Sequence, residues 1–256
     1  MHEDLVGKTA LVTGGARGLG LSMARALAQM GVRIGLVDIL DEVHVAAEKL
    51  SAETSVEVVG HVANLTDPDE VESSFVAIES QLGKPIDILI NSAGIGVLAD
   101  AIDVTSESWH RVMSVNLDST LFCCQALARR CVEHKRRGTI INISSMSGFI
   151  VNVPQQQTAY NVSKAAVAML TQSLAVEWMP LGVRVNAIAP GYFASDMTKQ
   201  FAVANPPMAE EWLRRIPIGR MGEPDELAGL VVYLASDVSR YMYGQNIIID
   251  GGYTLI

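Results

Sequence analysis

The chain has 256 residues, of which 49% are hydrophobic and 18% charged, so it has ample material for a core and does not resemble a disordered protein. A formal net charge of −9 argues against nucleic-acid binding as the main task. No apolar run reaches the roughly 18 to 20 residues that a membrane span needs, and acidic residues stand where a signal peptide would be basic.

In chain order, strand-like and helix-like segments alternate. The strand candidates are short, continuously apolar runs: TALVTGG, VRIGLVD, VEVVGHV, IDILINSAG, GTIINISS, VRVNAIAPG and QNIIIDGG. Helical spacing of apolar residues marks the segments between them: LSMARALAQMG, DEVHVAAEKLSAE, DPDEVESSFVAIESQLG, SESWHRVMSVNLDSTLFCCQALARRCVEH, TAYNVSKAAVAMLTQSLAVEWM and EPDELAGLVVYLAS. In the third of these, Asp67 can cap the helix, Pro68 suits the first turn and Gly83 suits the stop. Because such strands are buried on both faces, the order predicts one doubly wound α/β domain of the Rossmann type, with a seven-stranded, mostly parallel sheet.

The least regular region is 191–222, which follows the sixth strand and contains Pro206, Pro207 and Pro217. In open parallel sheets, ligands bind at the carboxyl ends of the strands. We therefore expect this segment to form a lid over a binding site.

The cysteines and histidines predict neither disulfides nor a metal centre. Cys123, Cys124 and Cys131 fall in one predicted helix, and their odd number does not suggest a disulfide framework. The five histidines never pair at metal-ligand spacing. We expect buried, structural cysteines, no metal, and a reducing cytosol as the location.

The first strand ends in TGGARGLG, residues 13–20, which places Gly14, Gly15, Gly18 and Gly20 between a strand and a helix. Such a turn lets backbone N–H groups and the helix N-terminus approach a pyrophosphate. A plain tight turn would use the same glycines, so the motif needs support from the residues that follow.

Asp38 ends the second strand, eighteen residues after Gly20. An acid there can accept hydrogen bonds from the 2′- and 3′-hydroxyls of a ribose, and the alternative is a helix cap. Arg17, in the glycine turn, is a candidate partner for a 2′-phosphate. Because a carboxylate repels that phosphate whereas Arg17 can point to solvent, the sequence favours NAD over NADP.

Tyr160 and Lys164 stand four residues apart in AYNVSK, so their side chains share one face of a helix. A cation there favours the phenolate and lowers the pKa of the tyrosine, which suits a proton carrier near neutral pH. A surface pair on an ordinary helix would have the same spacing.

Six motifs, in order along essentially the whole chain, resemble those of the short-chain dehydrogenase/reductase family. TGGARGLG is similar to the family's T-G-x-x-x-G-x-G, NSAG at 91–94 to its N-N-A-G, and YNVSK to its Y-x-x-x-K. Asn116 in SVNLD stands like the helix asparagine of the family, Ser145 fits its catalytic serine, and PGY, from Pro190, is similar to its P-G motif.

The resemblance implies NAD as cofactor and a catalytic set of Asn116, Ser145, Tyr160 and Lys164. Tyr160 would exchange a proton with the substrate oxygen, Lys164 would lower the pKa of Tyr160 and bind the nicotinamide ribose, and Ser145 would donate to the substrate oxygen. Asn116, at a helix distortion, would support a water-linked proton path to Lys164. The implied cofactor contacts are Gly14, Arg17, Gly18, Leu19, Gly20, Asp38, Ile39, Asn64, Leu65, Asn91, Ala93, Gly94, Tyr160, Lys164, Pro190, Gly191, Phe193 and Ser195.

Two positions depart from the family pattern without touching the catalytic set. Asn64 replaces the usual Asp near the adenine, where an amide can still hydrogen-bond, and Ser92 replaces the second Asn of N-N-A-G. Ser147 is a rival for the role of Ser145, and family position favours Ser145.

Within the family, the segments SMSGFIVNVPQQQTAYNVSK, AVEWMPLGVRVNAIAPGY and DGGYTLI look most like polyol dehydrogenases and ketose reductases. The predicted substrate is therefore a small secondary alcohol or ketone of the polyol or ketose class. The predicted substrate contacts are Ser145, Ser147, Asn152, Gln155, Tyr160 and Tyr192.

Alternatives remain open at this point. Asn152, Gln155 and Gln156 can bind substrate hydroxyls or can form only a polar surface loop. Met197, Phe201 and Trp212 in the lid favour an apolar pocket, which suits a 3-oxoacyl-thioester reductase or a hydroxysteroid dehydrogenase. The non-enzymatic alternative is a cofactor-binding regulator, against which the intact catalytic set argues.

The helices that begin at Ser106 and near Tyr160 keep an apolar outer face, as in AAVAMLTQSLAVEW. Members of the family usually pair these helices in dimers and tetramers. We therefore expect a homotetramer.

Overall fold

A parallel sheet forms the centre of the computed structural model, which describes residues 2–256 except for the side chains of Asp196, Met197 and Gln200. Its strands are β1 Thr9–Thr13, β2 Arg33–Asp38, β3 Val58–Val62, β4 Ile88–Asn91, β5 Gly138–Ile143, β6 Val183–Pro190 and β7 Asn246–Ile249. They lie in the order β3-β2-β1-β4-β5-β6-β7, and every neighbouring pair is parallel. The predicted doubly wound, seven-stranded sheet is confirmed.

Helices pack against both faces of the sheet. They are α1 Gly18–Ala28, α2 Glu42–Thr54, α3 Pro68–Leu82, α4 Ser106–Met113, α5 Ser119–Glu133, α6 Thr158–Trp178, α7 Asp196–Ala204, α8 Pro206–Arg215 and α9 Ala228–Ala235. One buried cluster joins β1 to α1, α2 and α9 through residues such as Leu27 and Leu50. The other joins the sheet to α3, α5 and α6 through residues such as Phe75 and Leu127. Over residues 2–256, no helix combines the length and the apolar character needed to cross a membrane.

The ends of α3 lie where the sequence predicts them. The side chain of Asp67 accepts a hydrogen bond from the Asp69 N–H at 2.9 Å, Pro68 occupies the first turn, and Gly83 takes the left-handed conformation with φ 63°. Asp67 thus satisfies a backbone N–H at the start of the helix, and Gly83 ends it in the conformation typical of a helix stop.

The cysteines have the predicted buried role. Cys123, Cys124 and Cys131 are buried and unpaired in α5. Burial raises the pKa of Cys124 to about 12, so its thiol stays protonated and unreactive.

The long helix predicted over 106–134 is wrong in one respect, because a π-helical turn, Ser114–Asp118, separates α4 from α5. The hydroxyl of Ser119 donates to the Val115 carbonyl at 2.6 Å, and that of Thr120 donates to the Asn116 carbonyl at 2.9 Å. These side chains compete with main-chain N–H groups for the same carbonyls. The resulting distortion places Asn116 where the family resemblance expects it.

The region 191–222 is more regular than predicted, since it contains α7 and α8. The Ser195 side chain caps α7 by accepting from the Thr198 N–H at 3.3 Å. Pro206 begins α8, a position where proline favours a helix because the first N–H has no intrahelical partner. Pro206 and Pro207 therefore mark a helix start, whereas Pro217 follows the end of α8. The lid role of the segment stays a prediction.

Candidate active site

The turn between β1 and α1 is shaped by its glycines. Gly14 takes a left-handed conformation with φ 64°, and a Cβ on it would lie 2.9 Å from the Cα of Ala93. A Cβ on Gly20 would lie 2.1 Å from the carbonyl oxygen of Gly14. Within residues 2–256, no side chain caps the first turn of α1, and no acidic residue stands in that turn. Its N–H groups are therefore available to an anion, and the turn fits the pyrophosphate of a dinucleotide cofactor.

Asp38 lies at the end of β2, beside this turn. Its Oδ2 accepts a hydrogen bond from the Ala16 N–H at 3.0 Å, and its Oδ1 accepts one from the Leu40 N–H at 3.2 Å. Each oxygen retains acceptor capacity for a ribose hydroxyl. Arg17 is exposed, in keeping with a side chain that points to solvent.

The other predicted cofactor residues lie at the same edge of the sheet, after β2, β3, β4 and β6. Asn64 is exposed, and its Oδ1 accepts from the Thr66 hydroxyl at 2.8 Å. The Cβ of Ser195 lies 3.9 Å from the position a Cβ on Gly18 would take, so the start of α7 approaches the glycine turn. Ile39 is exposed, Leu19 and Gly191 are half-buried, and Leu65, Pro190 and Phe193 are buried.

The side chain of Asn91 faces the interior, and its predicted cofactor contact stays a prediction. Its Nδ2 donates to Asn142 Oδ1 on β5 at 2.9 Å, so only its main chain is left to face a ligand. The following residues are held against β1, since the N–H groups of Ser92 and Ala93 both donate to Thr13 Oγ1 at 3.1 Å.

Asn116 and Lys164 come together below Gly94. Asn116 is fully buried; its Oδ1 accepts from the Ile95 N–H at 2.8 Å, and its Nδ2 donates to the Ile95 carbonyl and to Ser163 Oγ, both at 2.9 Å. A Cβ on Gly94 would lie 3.3 Å from Lys164 Nζ and 3.4 Å from Asn116 Oδ1. The π-helical turn thus clamps the chain after β4 next to the lysine.

Tyr160 and Lys164 lie on one face of α6, with Lys164 Nζ 5.7 Å from the centre of the Tyr160 ring. Lys164 is buried and donates to the Ile143 carbonyl at 2.8 Å, and burial lowers its pKa to about 8. The effect of Lys164 on the pKa of Tyr160 stays a prediction, because burial acts on the same phenol in the opposite direction. Burial raises the pKa of Tyr160, and the nearby Ser145 hydroxyl opposes that rise only in part. Desolvation disfavours the phenolate more than the neighbouring groups favour it.

The structure separates the two candidate serines. Ser145 is buried beside Tyr160, and its Oγ accepts from the Ser147 N–H at 3.1 Å. The Ser147 hydroxyl is turned away and donates to Asn152 Oδ1 at 2.8 Å. This geometry favours Ser145 as the serine that meets a substrate oxygen.

The polar side chains of the loop before α6 differ in their surroundings. Asn152 and Gln155 are buried and their amides are paired within the protein, whereas Gln156 is exposed. Asn152 Nδ2 and Gln155 Nε2 both donate to the Tyr192 hydroxyl, at 3.1 and 2.6 Å. The rings of Trp212 and Tyr192 stack with centroids 4.6 Å apart, and those of Phe201 and Trp212 at 5.2 Å. The side chain of Met197, the third predicted apolar lid residue, lies outside the described residues.

Two residues of this region escaped the sequence argument. Gln157 Nε2 donates to Ser147 Oγ, Asn152 Oδ1 and Asn161 Oδ1 at 3.0 to 3.2 Å. It stands three residues before Tyr160, a helical spacing that could have identified it. Tyr253 packs edge-on against Tyr192, with ring centroids 5.5 Å apart. No local pattern in the sequence indicates a contact between two residues so far apart along the chain.

Comparison with known proteins gives this arrangement a family. Residues 14–254 match the family model described as Enoyl-(Acyl carrier protein) reductase. The crystal structure of a short-chain type dehydrogenase/reductase from Mycobacterium marinum superposes with a TM-score of 0.93 at 38% identity, covering 99% of this chain and 98% of the other. The chain belongs to the short-chain dehydrogenase/reductase family.

Relatives within the family include sugar-alcohol enzymes. The galactitol 2-dehydrogenase (L-tagatose-forming) of Cereibacter sphaeroides is 42% identical over 255 residues, which cover 98% of this chain and 96% of the relative. The NADP-dependent mannitol dehydrogenase of Hypocrea jecorina is 37% identical over 255 residues, 98% of this chain and 94% of the relative. The family resemblance drawn from the motifs is confirmed.

Proposed function

We propose that the protein is an NAD(H)-dependent dehydrogenase/reductase that interconverts a polyol and its ketose. The observation that carries the proposal is the meeting of Ser145, Tyr160, Lys164 and Asn116 at the carboxyl edge of the sheet, beside a glycine turn shaped for a dinucleotide. The intact set argues against a cofactor-binding regulator.

The residues have distinct tasks in the proposed reaction. Tyr160 accepts the proton of the substrate hydroxyl in oxidation and returns a proton to the carbonyl oxygen in reduction. Ser145 donates a hydrogen bond to that oxygen, where negative charge develops in the transition state. The ammonium group of Lys164 favours the phenolate against the effect of burial. A bound nicotinamide ring supplies hydride acceptance and donation.

Binding of the cofactor would use the first turn of α1 for the pyrophosphate, Asp38 for the adenosine ribose and Lys164 for the nicotinamide ribose. Asn116 holds the segment after β4 in place over Lys164. The water-linked proton path past Asn116 stays a prediction.

The preference for NAD over NADP rests on Asp38, because its carboxylate would repel a 2′-phosphate. A relative named as NADP-dependent makes this preference a point to measure. The cytosolic location also stays a prediction, supported by three unpaired cysteines.

The polyol class is supported by the relatives and by the polar side chains near Tyr192. The apolar alternatives keep some support, since the aromatic rings of Phe201 and Trp212 lie in the same region and the matched family model is described as Enoyl-(Acyl carrier protein) reductase, an activity on acyl chains.

The test is a substrate panel followed by absorbance of NADH at 340 nm. We expect galactitol and mannitol to be oxidised with NAD, and L-tagatose to be reduced with NADH, at higher kcat/KM than acetoacetyl-CoA or a 3-oxosteroid. Higher kcat/KM for the thioester or the steroid would overturn the polyol assignment, and no turnover of any compound would favour the regulator.

A further inference from the structure

A chain of buried hydrogen bonds links the lid to the loop before α6. Trp212, on α8, is 5% exposed, and Gln155, in the loop 151–157, is 6% exposed. The indole Nε1–H of Trp212 donates to Gln155 Oε1 at 2.8 Å. Gln155 Nε2 donates onward to the Tyr192 hydroxyl at 2.6 Å, and the ring of Tyr192 stacks on Trp212. We call the Trp212–Gln155 bond the lid latch.

The lid latch fixes the direction of the bonds around it. An indole N–H can only donate, so the Gln155 carboxamide must turn its oxygen to Trp212 and its NH2 group to Tyr192. The Tyr192 oxygen therefore accepts, both from Gln155 and from Asn152. Without the indole N–H, the carboxamide would be free to turn over, and its buried oxygen would lose its partner.

The same network continues toward the catalytic serine. Asn152 Oδ1 accepts from the Ser147 hydroxyl at 2.8 Å, and the Ser147 N–H donates to Ser145 Oγ at 3.1 Å. The hydrogen-bond network thus extends without interruption from Trp212 on α8 to Ser145, the residue proposed to meet the substrate oxygen. A substrate next to Ser145 would have the lid and the amides of the loop as its neighbours.

We propose that Trp212 is a positioning residue: through its bond to Gln155 it holds α8 closed on the substrate loop and orients the amides that receive a polyhydroxylated substrate. The inference rests on the proposed polyol function. Because Trp212 and Gln155 are not among the groups proposed to transfer the proton or to meet the substrate oxygen, we expect the lid latch to stabilise ground and transition states equally. Its loss should therefore raise KM and leave kcat nearly unchanged.

A double-variant cycle tests the proposal in steady-state oxidation of galactitol and mannitol with NAD. Trp212→Phe keeps an aromatic ring for the stack but removes the donor, and Gln155→Met removes the acceptor at similar volume. We expect each variant to raise KM about tenfold, which corresponds to about 1.4 kcal/mol, with kcat within about twofold of wild type. Gln155→Met also removes the donor to the Tyr192 hydroxyl, so the double variant should be no worse than Gln155→Met alone, because both substitutions remove the lid latch. Leu213→Ala, at a half-exposed position on the same helix, is the matched control and should leave KM unchanged.

Three kinetic outcomes would overturn the proposal. Effects that add in the double variant would show that the residues act independently, and a fall in kcat with unchanged KM would show only loss of folded enzyme. KM values within twofold of wild type in Trp212→Phe would also contradict it.

A readout without substrate separates failure of the latch from failure of the proposed function. The chain has three tryptophans, so an NMR spectrum of protein with 15N-labelled tryptophan resolves the indole N–H of Trp212, assigned by its absence in Trp212→Phe. We expect this proton to exchange slowly with water in wild type and at least tenfold faster in Gln155→Met. Fast exchange in wild type would overturn the latch whatever the substrate is. Slow exchange with no turnover of any polyol would overturn the proposed function alone.

Discussion

Replacing Lys164 by Met should stabilise the cofactor-free protein while removing its activity. Lys164 is 4% exposed, and burial lowers its pKa from 10.5 to about 8. A difference of this size means that the fold holds the charged amine at a cost of about 3 kcal/mol. Met keeps the volume of the side chain but loses the hydrogen bond to the Ile143 carbonyl, which offsets about 1 kcal/mol. The free energy of unfolding of the Met variant at pH 7 should therefore exceed that of the wild type by about 2 kcal/mol.

The sign of the pH dependence follows from the lowered pKa. Below pH 8 the amine is charged in both the folded and the unfolded chain, so the wild type bears the full cost of burial. Between pH 8 and 10.5 the folded chain loses the proton first, and the wild type gains stability as the pH rises. The greater stability of the Met variant should therefore disappear by about pH 10. Tyr160 is present in both proteins, so its ionisation does not contribute to the difference between them.

Thermal unfolding at pH 7 and pH 10, at one protein concentration, measures this effect. A gain of about 2 kcal/mol corresponds to about 4 °C or more in Tm for a chain of this size. Lys49→Met, at an exposed position of α2, is the control and should change the stability by no more than about 0.5 kcal/mol. A Tm of Lys164→Met below that of the wild type at pH 7 would refute the reasoning. The same difference in Tm between the two proteins at pH 7 and at pH 10 would also refute it.

Three further predictions concern the cofactor and the assembly. Asp38→Ala should lower the ratio of kcat/KM with NADH to kcat/KM with NADPH about tenfold, because it relieves repulsion of the 2′-phosphate. A wild type that prefers NADPH would contradict the assignment of NAD as cofactor. Gly20→Ala should lower both Tm and NADH affinity because its Cβ would lie 2.1 Å from a carbonyl oxygen, whereas Gly229→Ala, with open space around it, should be tolerated. Light scattering should show a homotetramer, since α6 exposes Val162, Met169 and Val176 on one face; a 27.5 kDa species at micromolar concentration would exclude it.

The sheet was predictable because its strands are buried on both faces and therefore appear as uninterrupted apolar runs. The ends of α3 were predictable because Asp67, Pro68 and Gly83 act locally, within a turn of the chain. Spacing along the chain also places the glycines in one turn and Tyr160 and Lys164 on one helix face, but their assignment to a site depended on the family resemblance. Residues whose effect is local are visible in the sequence.

The remainder depends on contacts between distant segments. The amides of Asn152 and Gln155 pair with Tyr192 and Trp212, which lie on other elements, and nothing near them in the sequence indicates that they are buried. The spacing of Tyr160 and Lys164 indicates a neighbouring cation, but the rise in the Tyr160 pKa comes from desolvation, which depends on the whole fold. Burial of polar groups was thus the part of the site hardest to predict.

The central claim is that Tyr160 carries the proton, and Tyr160→Phe tests it most directly. The substitution removes the phenol oxygen and keeps the ring, so kcat for the best polyol should fall at least about 100-fold, the lower limit usual for general acid–base catalysis. The Kd for NADH, measured by fluorescence on the same protein, should stay within about threefold of wild type, because Asp38 and the glycine turn that hold the cofactor are unchanged. A variant that keeps more than roughly a tenth of the wild-type kcat falls far short of that loss and would contradict the account.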